Sequence, residues 1–221
     1  MHTMISFLSD NHAEEFLGDL RDFAPKDKEK DLLILLGDTC LKLAETPRYQ
    51  QFSQWLLSRD YSIAIVDGNH ENYTYLNQAP EEEWMGGIVN RLTENIVRLK
   101  RGELYRIQGS SFFVFGGCGS SAAWRAKGLW QEGELPSAQE LAKAYETLKR
   151  ADYRVDYILM HKYFCNQCHV WEGEPEYELF KLNRFIDANV QFKRWFSGHR
   201  HEDREIDDKH RVVFQKTVAL Y

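Results

Sequence analysis

The sequence predicts an α/β sandwich built from mixed sheets. Three observations carry the prediction. Short apolar runs alternate with segments of helical periodicity along most of the 221 residues. Short β-rich runs cluster in the middle of the chain and again near its end, as hairpins do. Five of the apolar runs also stop at a polar residue of the same three kinds, Asp, Asn or His.

Taken in order, residues 4–8, 32–36, 62–66, 156–160 and 192–197 are runs of the length and composition of buried strands. Residues 13–23 are expected to be helical, with Phe16, Leu20 and Phe23 on one face. Thr46-Pro47 supplies an N-cap followed by proline at the first helical position, opening a helix to about Leu57. Glu81-Glu82-Glu83 reads as a solvated turn. Residues 96–99, 103–107 and 111–115 predict a small meander, whose last strand runs into Gly116-Gly117-Cys118-Gly119-Ser120-Ser121. Residues 116–130 then read as a long irregular loop. Ser137-Ala138-Gln139-Glu140 is a capping box, followed by Leu141, Tyr145 and Leu148 on one face. Pro175 opens a last helix with Leu179, Leu182 and Ile186 spaced for burial, and 203–207 with 211–218 reads as a hairpin.

The bulk composition bounds the function. Hydrophobic residues make up 43% and aromatic residues 14%, enough for a packed core. A formal charge of −6 disfavours a duplex nucleic-acid partner, which calls for a basic face, but says nothing against a small anionic substrate, because a bound metal reverses the local field. No run approaches the roughly 18 apolar residues of a membrane span. Met1–Leu8 is too short and lacks the basic lead of a signal peptide. The expectation is a cytoplasmic protein with no membrane partner, its four cysteines (Cys40, Cys118, Cys165, Cys168) reduced. Cys165-Asn166-Gln167-Cys168-His169 matches a haem-attachment pattern, read here as coincidence. No repeat or low-complexity linker divides residues 1–221, and the sequence leaves the oligomeric state open.

The strand ends carry the chemistry. Residues 4–8 lead to Asp10 and His12, 32–36 to Asp38, and 62–66 to Asn69 and His70. Residues 156–160 lead to His161, and 192–197 to His199 and His201. One histidine at a strand end is usually a satisfied polar residue, but five such ends in one chain are improbable by chance. In α/β sheets the carboxyl ends of strands form the ligand crevice, so these side chains are expected to converge. Imidazoles with carboxylates suit manganese, iron, zinc or nickel, and are too rich in nitrogen for calcium or magnesium alone. Seven candidate ligands exceed one tetrahedral ion. They suit two ions sharing a carboxylate, with Asp38 as the natural bridge.

These motifs, Asp-x-His, Gly-Asp, Gly-Asn-His-Glu, a lone His and Gly-His-x-His, stand in order over residues 10 to 201, and the sequence thereby resembles the calcineurin-like metallophosphoesterases. The resemblance implies one metallophosphoesterase domain over 1–221, with two mixed sheets flanked by helices. It implies two divalent transition-metal ions, manganese first. One ion takes Asp10, His12, Asp38 and His201, the other Asp38, Asn69, His161 and His199. It further implies hydrolysis of a small phosphorylated substrate, a mono- or diester, by a metal-bridging hydroxide, with His70 over the leaving group; Asp67 and Glu71, its neighbours in sequence, are candidates to orient it. Trp124, Arg125 and Arg200 are candidate substrate contacts. The rival readings are a non-catalytic binding scaffold of the same fold, or a nuclease acting on single strands. The chain departs from the family at Ala13, where glycine is frequent, and lacks the later Asp-Arg-Gly of the Ser/Thr protein phosphatases.

Overall fold

Period-two alternation within fully buried runs decides the layering. A computed structural model describes residues 4–13, 18–126, 128, 130–165 and 167–220 of the chain. The strands β1 (Ile5–Leu8), β2 (Leu32–Leu35) and β3 (Ser62–Ile65) lie side by side and parallel. Every residue of β1 and β2 is buried, so both faces of their sheet are covered. In β2, Leu32 and Ile34 point into the space between the sheets, whereas Leu33 and Leu35 meet a helix, α1 (Pro47–Leu57), through Phe52 and Leu56.

The remaining strands are β4 (Glu81–Trp84), β5 (Gly87–Arg91), β6 (Ile96–Leu99), β7 (Glu103–Ile107), β8 (Ser110–Phe115), β9 (Tyr157–Met160), β10 (Arg194–Ser197), β11 (Arg204–Glu205), β12 (His210–Val212) and β13 (Val218–Leu220). They complete a seven-stranded sheet in the order β13-β1-β2-β3-β6-β5-β4 and a six-stranded sheet in the order β11-β12-β10-β9-β8-β7. The two sheets pack face to face through Phe7, Ile34 and Val97 on one side and Phe112, Leu159 and Phe196 on the other. The rings of Phe7 and Phe196 stack at 4.4 Å. The other helices are α2 (Tyr73–Gln78), α3 (Ala122–Ala126), α4 (Ala138–Arg150) and α5 (Tyr177–Asn189). Leu148 of α4 with Leu182 and Ile186 of α5 covers the outer face of the second sheet against Phe113, Ile158 and Trp195. The layers are therefore α/β/β/α, as the sequence predicts. Among the described residues no helix is long and apolar enough to cross a membrane.

Several local expectations are corrected. Residues 96–115 are not one meander: β6 runs parallel to β3 in the first sheet, whereas β7 and β8 pair in the second. The chain crosses between sheets at Arg101-Gly102, where Gly102 takes φ 75° and the buried Arg101 guanidinium donates to Gly116 O at 2.8 Å and to Tyr73 Oη at 2.9 Å. Glu81–Glu83 is not a turn but most of the edge strand β4. It is joined to β5 by Met85-Gly86, both at positive φ, which matches the right-handed twist of a two-residue hairpin. Three glutamates on an exposed edge also oppose pairing with another chain. The expected C-terminal hairpin is split. β11 and β12 pair in the second sheet, and β13 crosses back to edge the first against β1. Of the expected helix over 13–23, Phe16 lies outside the described residues. Gly18–Leu20 forms a single 3-10 turn, with Leu20 buried. The capping box at Ser137 is present, Glu140 accepting from Ser137 N at 2.7 Å.

One buried charge is independent of the strand ends. His210 lies with Nδ1 2.9 Å from Asp207 and Nε2 3.3 Å from Asp187, its ring stacked on Tyr163 at 4.3 Å. Burial opposes the imidazolium, but the two carboxylates outweigh it and raise its pKa above 6.5. A pKa raised on folding adds stability that is complete below 6.5 and is lost as pH climbs through the folded-state value. His210→Gln is therefore expected to lower stability most in mild acid, by an amount that solvent screening at the half-exposed Asp207 keeps modest, and the deficit shrinks as pH rises. Chemical denaturation across pH measures it, and a deficit independent of pH would show that the charge plays no part.

Candidate metal centre

The donors occupy positions just past strand ends, and the strands that deliver them are parallel. β1, β2 and β3 run together in one sheet, and β8, β9 and β10 in the other. The carboxyl ends of both sets therefore share one edge of the sandwich. Three hydrogen bonds that involve the backbone are among those that tie the two sheets there. His161 donates from Nδ1 to Leu36 O at 2.7 Å, Gly117 N to Asp67 O at 2.6 Å, and His199 N to Asp10 Oδ2 at 2.8 Å. Such closeness leaves no room for side chains at two turns. A Cβ on Gly37, which stands at φ 98°, would lie 2.3 Å from Nδ1 of His161, and one on Gly198 would lie 1.9 Å from Oγ of Ser9.

The backbone at these corners is unusual. Asp10, His12, Asp38, His199 and His201 all take φ between 46° and 70°. This left-handed region costs a residue with a Cβ about 1 kcal/mol or more. Ala13 shares it at φ 48°, which gives a physical reason for glycine being frequent there in the family that the motifs resemble.

Two donor clusters result. Asp10, His12, Asp38 and His201 form one, and Cys118, His161 and His199 the other, the donor atoms within each lying within 4.8 Å of one another. Asn69 joins the second, its Oδ1 3.2 Å from Nε2 of His161. Asp38 faces both, with Oδ2 3.5 Å from Nε2 of His12 and Oδ1 3.5 Å from Nε2 of His161. All seven ligands expected from the sequence are thus brought together. The donor chemistry fits cations on two further grounds. Nε2 atoms of His12 and His201 point at each other across 3.1 Å, and Asp10 Oδ1 is buried with no hydrogen-bond partner among the described residues. With Nδ1 of His161 committed to Leu36, its Nε2 is the nitrogen left to bind.

Burial and neighbouring charges pull the members of this crowd in different directions. Burial works against charge on Asp38, but His161 beside it holds the carboxyl far below its ordinary range. The same contact, against burial, raises His161 well above the usual imidazole value. Burial first, then the His161 charge, drives His199 down to about 2. Burial also lowers His12, whereas the Asp10 carboxylate raises His201.

The surrounding shell is only partly as expected. His70 belongs to neither cluster. Its backbone N–H donates to Asp38 Oδ1 at 2.8 Å, and its half-buried ring lies 5.3 Å from His12 and 4.9 Å, edge-on, from Trp124. Neither Asp67 nor Glu71 orients it. Asp67 is held by Arg98 through a two-pronged pair at 2.7 and 2.8 Å. Glu71 accepts from the backbone of Thr39 at 2.9 Å and Cys40 at 3.0 Å, and burial next to Asp38 pushes its pKa up to about 8. The 116–130 segment is not an irregular loop throughout. Gly116–Cys118 is buried, and α3 carries Trp124 and Arg125. Arg125 donates to Ser120 O at 2.9 Å and lines a groove of about 910 Å³ with Tyr73, Arg101 and Trp130. Arg200 is exposed, its guanidinium 3.6 and 3.7 Å from the sulfurs of Cys165 and Cys168. Sequence reasoning missed Cys118 as a donor. The signal was available, since it follows β8 as the other donors follow their strands.

A model of the calcineurin-like phosphoesterases matches residues 4–203. A search of curated proteins returned no significant match. Among solved structures, the chain is similar to a putative 5'-nucleotidase from Staphylococcus aureus in complex with alpha-ketoglutarate, at 15% identity and a TM-score of 0.49. The alignment covers 99% of this chain and 51% of that one, so this chain spans about half the length of that protein. It is also similar to the calcineurin-like phosphoesterase YfkN from Bacillus subtilis, at 10% identity and a TM-score of 0.43, covering 95% of this chain and 80% of that one. With 200 consecutive residues matched by the family model, the chain belongs to the calcineurin-like phosphoesterases, a family of divalent-metal-dependent phosphoester hydrolases.

Proposed function

We propose that the chain hydrolyses phosphate mono- or diesters of small, accessible substrates using two divalent transition-metal ions. One is held by Asp10, His12, Asp38 and His201, the other by Asp38, Asn69, His161 and His199. The observation that carries the reading is Asp38, whose two oxygens face different imidazoles at 3.5 Å each, as a shared carboxylate must. The ions would supply Lewis-acid neutralisation of phosphoryl charge and water acidic enough to act at neutral pH.

The chain's own residues do the rest. The buried carboxylates of Asp10 and Asp38 fix where positive charge is welcome, and so where a phosphoryl group docks. The ring of His70, next to the first cluster but outside it, is placed to give a proton or a hydrogen bond to the leaving oxygen. Trp124 walls one side of that ring, which favours a flat or apolar leaving group on the same side. The Arg98–Asp67 pair and the backbone bonds of Glu71 hold the Gly68–His70 turn without contacting substrate.

Chelated protein given Mn²⁺, Ni²⁺ or Zn²⁺ is expected to turn over p-nitrophenyl phosphate or its bis ester, the ratio of the two rates separating monoesterase from diesterase. No turnover of either ester with any ion would favour the non-catalytic scaffold. His70→Ala is expected to lower kcat by about 10²–10⁴-fold with metal content unchanged. Loss of bound metal in that variant, by elemental analysis, would place His70 among the ligands instead.

A further inference from the structure

Cys118 occupies a position that the five expected strand-end motifs do not include. It stands three residues beyond the end of β8, fully buried among the second group of donors. Its Sγ lies 3.0 Å from Asn69 Oδ1 and 3.5 Å from His199 Nδ1, and His161 Nε2 lies 3.2 Å from the same Asn69 oxygen. Around an ion with five donors, at angles of about 90° to 120°, bonds of about 2.0–2.1 Å to nitrogen or oxygen and about 2.3 Å to sulfur give ligand–ligand edges of about 2.9–3.6 Å, and of about 3.1–3.8 Å where sulfur is one partner. The three separations are near those edges before any ion is considered.

The other buried cysteine beside the clusters makes a useful contrast. Cys40 Sγ lies 3.9 Å from His12, but from Nδ1, on the opposite side of the ring from the Nε2 that faces Asp38 and Asp10. Cys40 is therefore behind its imidazole, and Cys118 is among the donor atoms.

We propose that Cys118 is a thiolate ligand of the ion held by Asn69, His161, His199 and Asp38, so that one half of the centre is sulfur-containing and the other is bound by nitrogen and oxygen alone. This rests on the two-ion reading above and adds an asymmetry to it. On binding, the S–H bond that now points at Asn69 is replaced by a sulfur–metal bond, and its proton leaves to solvent, one per ion. A thiolate discriminates between metals. It favours zinc, iron or cobalt over manganese and magnesium, so the second half selects a softer ion than the first.

The test uses full-length protein carrying Cys165→Ser and Cys168→Ser, so that the surface pair takes up no metal. Chelated protein is loaded with Co²⁺ and its spectrum recorded. The expected result is a sulfur-to-cobalt charge-transfer band in the near ultraviolet that survives Cys40→Ser and disappears in Cys118→Ser. Zinc-edge X-ray absorption on the same protein with Cys118 intact, which does not depend on how that variant folds, is expected to show sulfur at about 2.3 Å, averaging about half a sulfur per zinc when both halves are loaded. Cobalt bound without the band, or zinc bound without a sulfur neighbour, would overturn the assignment and leave Cys118 a hydrogen-bond donor to Asn69. Failure to bind cobalt or zinc at all would overturn the two-ion reading and this assignment together.

Discussion

Everything in this molecule depends on two sheets ending in the same place. The hydrogen bond from His161 to the carbonyl of Leu36 joins the end of β9 to the end of β2, across the sandwich and 125 residues apart in sequence. It fixes the tautomer of one donor and the distance between the sheets at once. The bonds from Gly117 to Asp67 and from His199 to Asp10 repeat the arrangement on either side. Without that seam, a β-sandwich with this core would still pack through Phe7, Ile34 and Phe196, but its polar corners would belong to separate surfaces.

The seam explains why so much was legible from residues alone. Buried parallel strands announce themselves as short runs that are mostly apolar, so β1, β2, β3 and β9, and β10 through Trp195 and Phe196, are recognisable, and the polar residue after each run gives the ligands. Chemistry placed at strand ends is written locally, within a few residues of the element that presents it. Sheet membership is not. β6 pairs with β3 and not with β7 because the chain crosses between sheets at Arg101-Gly102, where the Arg101 guanidinium meets carbonyls of distant segments that nothing near residue 100 reveals. The edge strand β4 was hidden for a different reason. Its three glutamates follow solubility rather than strand propensity, and pairing with β5 overrides their preference. Cys118 was passed over because the surrounding glycines and serines read as a flexible loop, whereas the segment is buried against the turn after β3.

The electrostatic arrangement has its own logic. Two buried aspartates and four histidines within a few ångströms cannot all adopt their solution protonation states. His161 and His199 shift in opposite directions, the first raised by the Asp38 carboxylate beside it and the second lowered by burial and by the charge of His161. Arg98 and Arg101 remain with Asp67, on the other side of the Gly68 turn, so fixed positive charge is kept out of the place where cations are wanted.

Five of the seven donors sit at left-handed corners that an ordinary residue avoids. Such corners have few neighbouring conformations to drift into, because relaxing one toward common backbone angles would swing its side chain away from the cluster. The strain is met once, when the core forms, and not again at each encounter with a ligand. Donors held in this way are aimed by the backbone itself, so binding an ion has little side-chain ordering left to do. The hydrophobic sandwich thus acts as a clamp, converting free energy of folding into readiness at its rim.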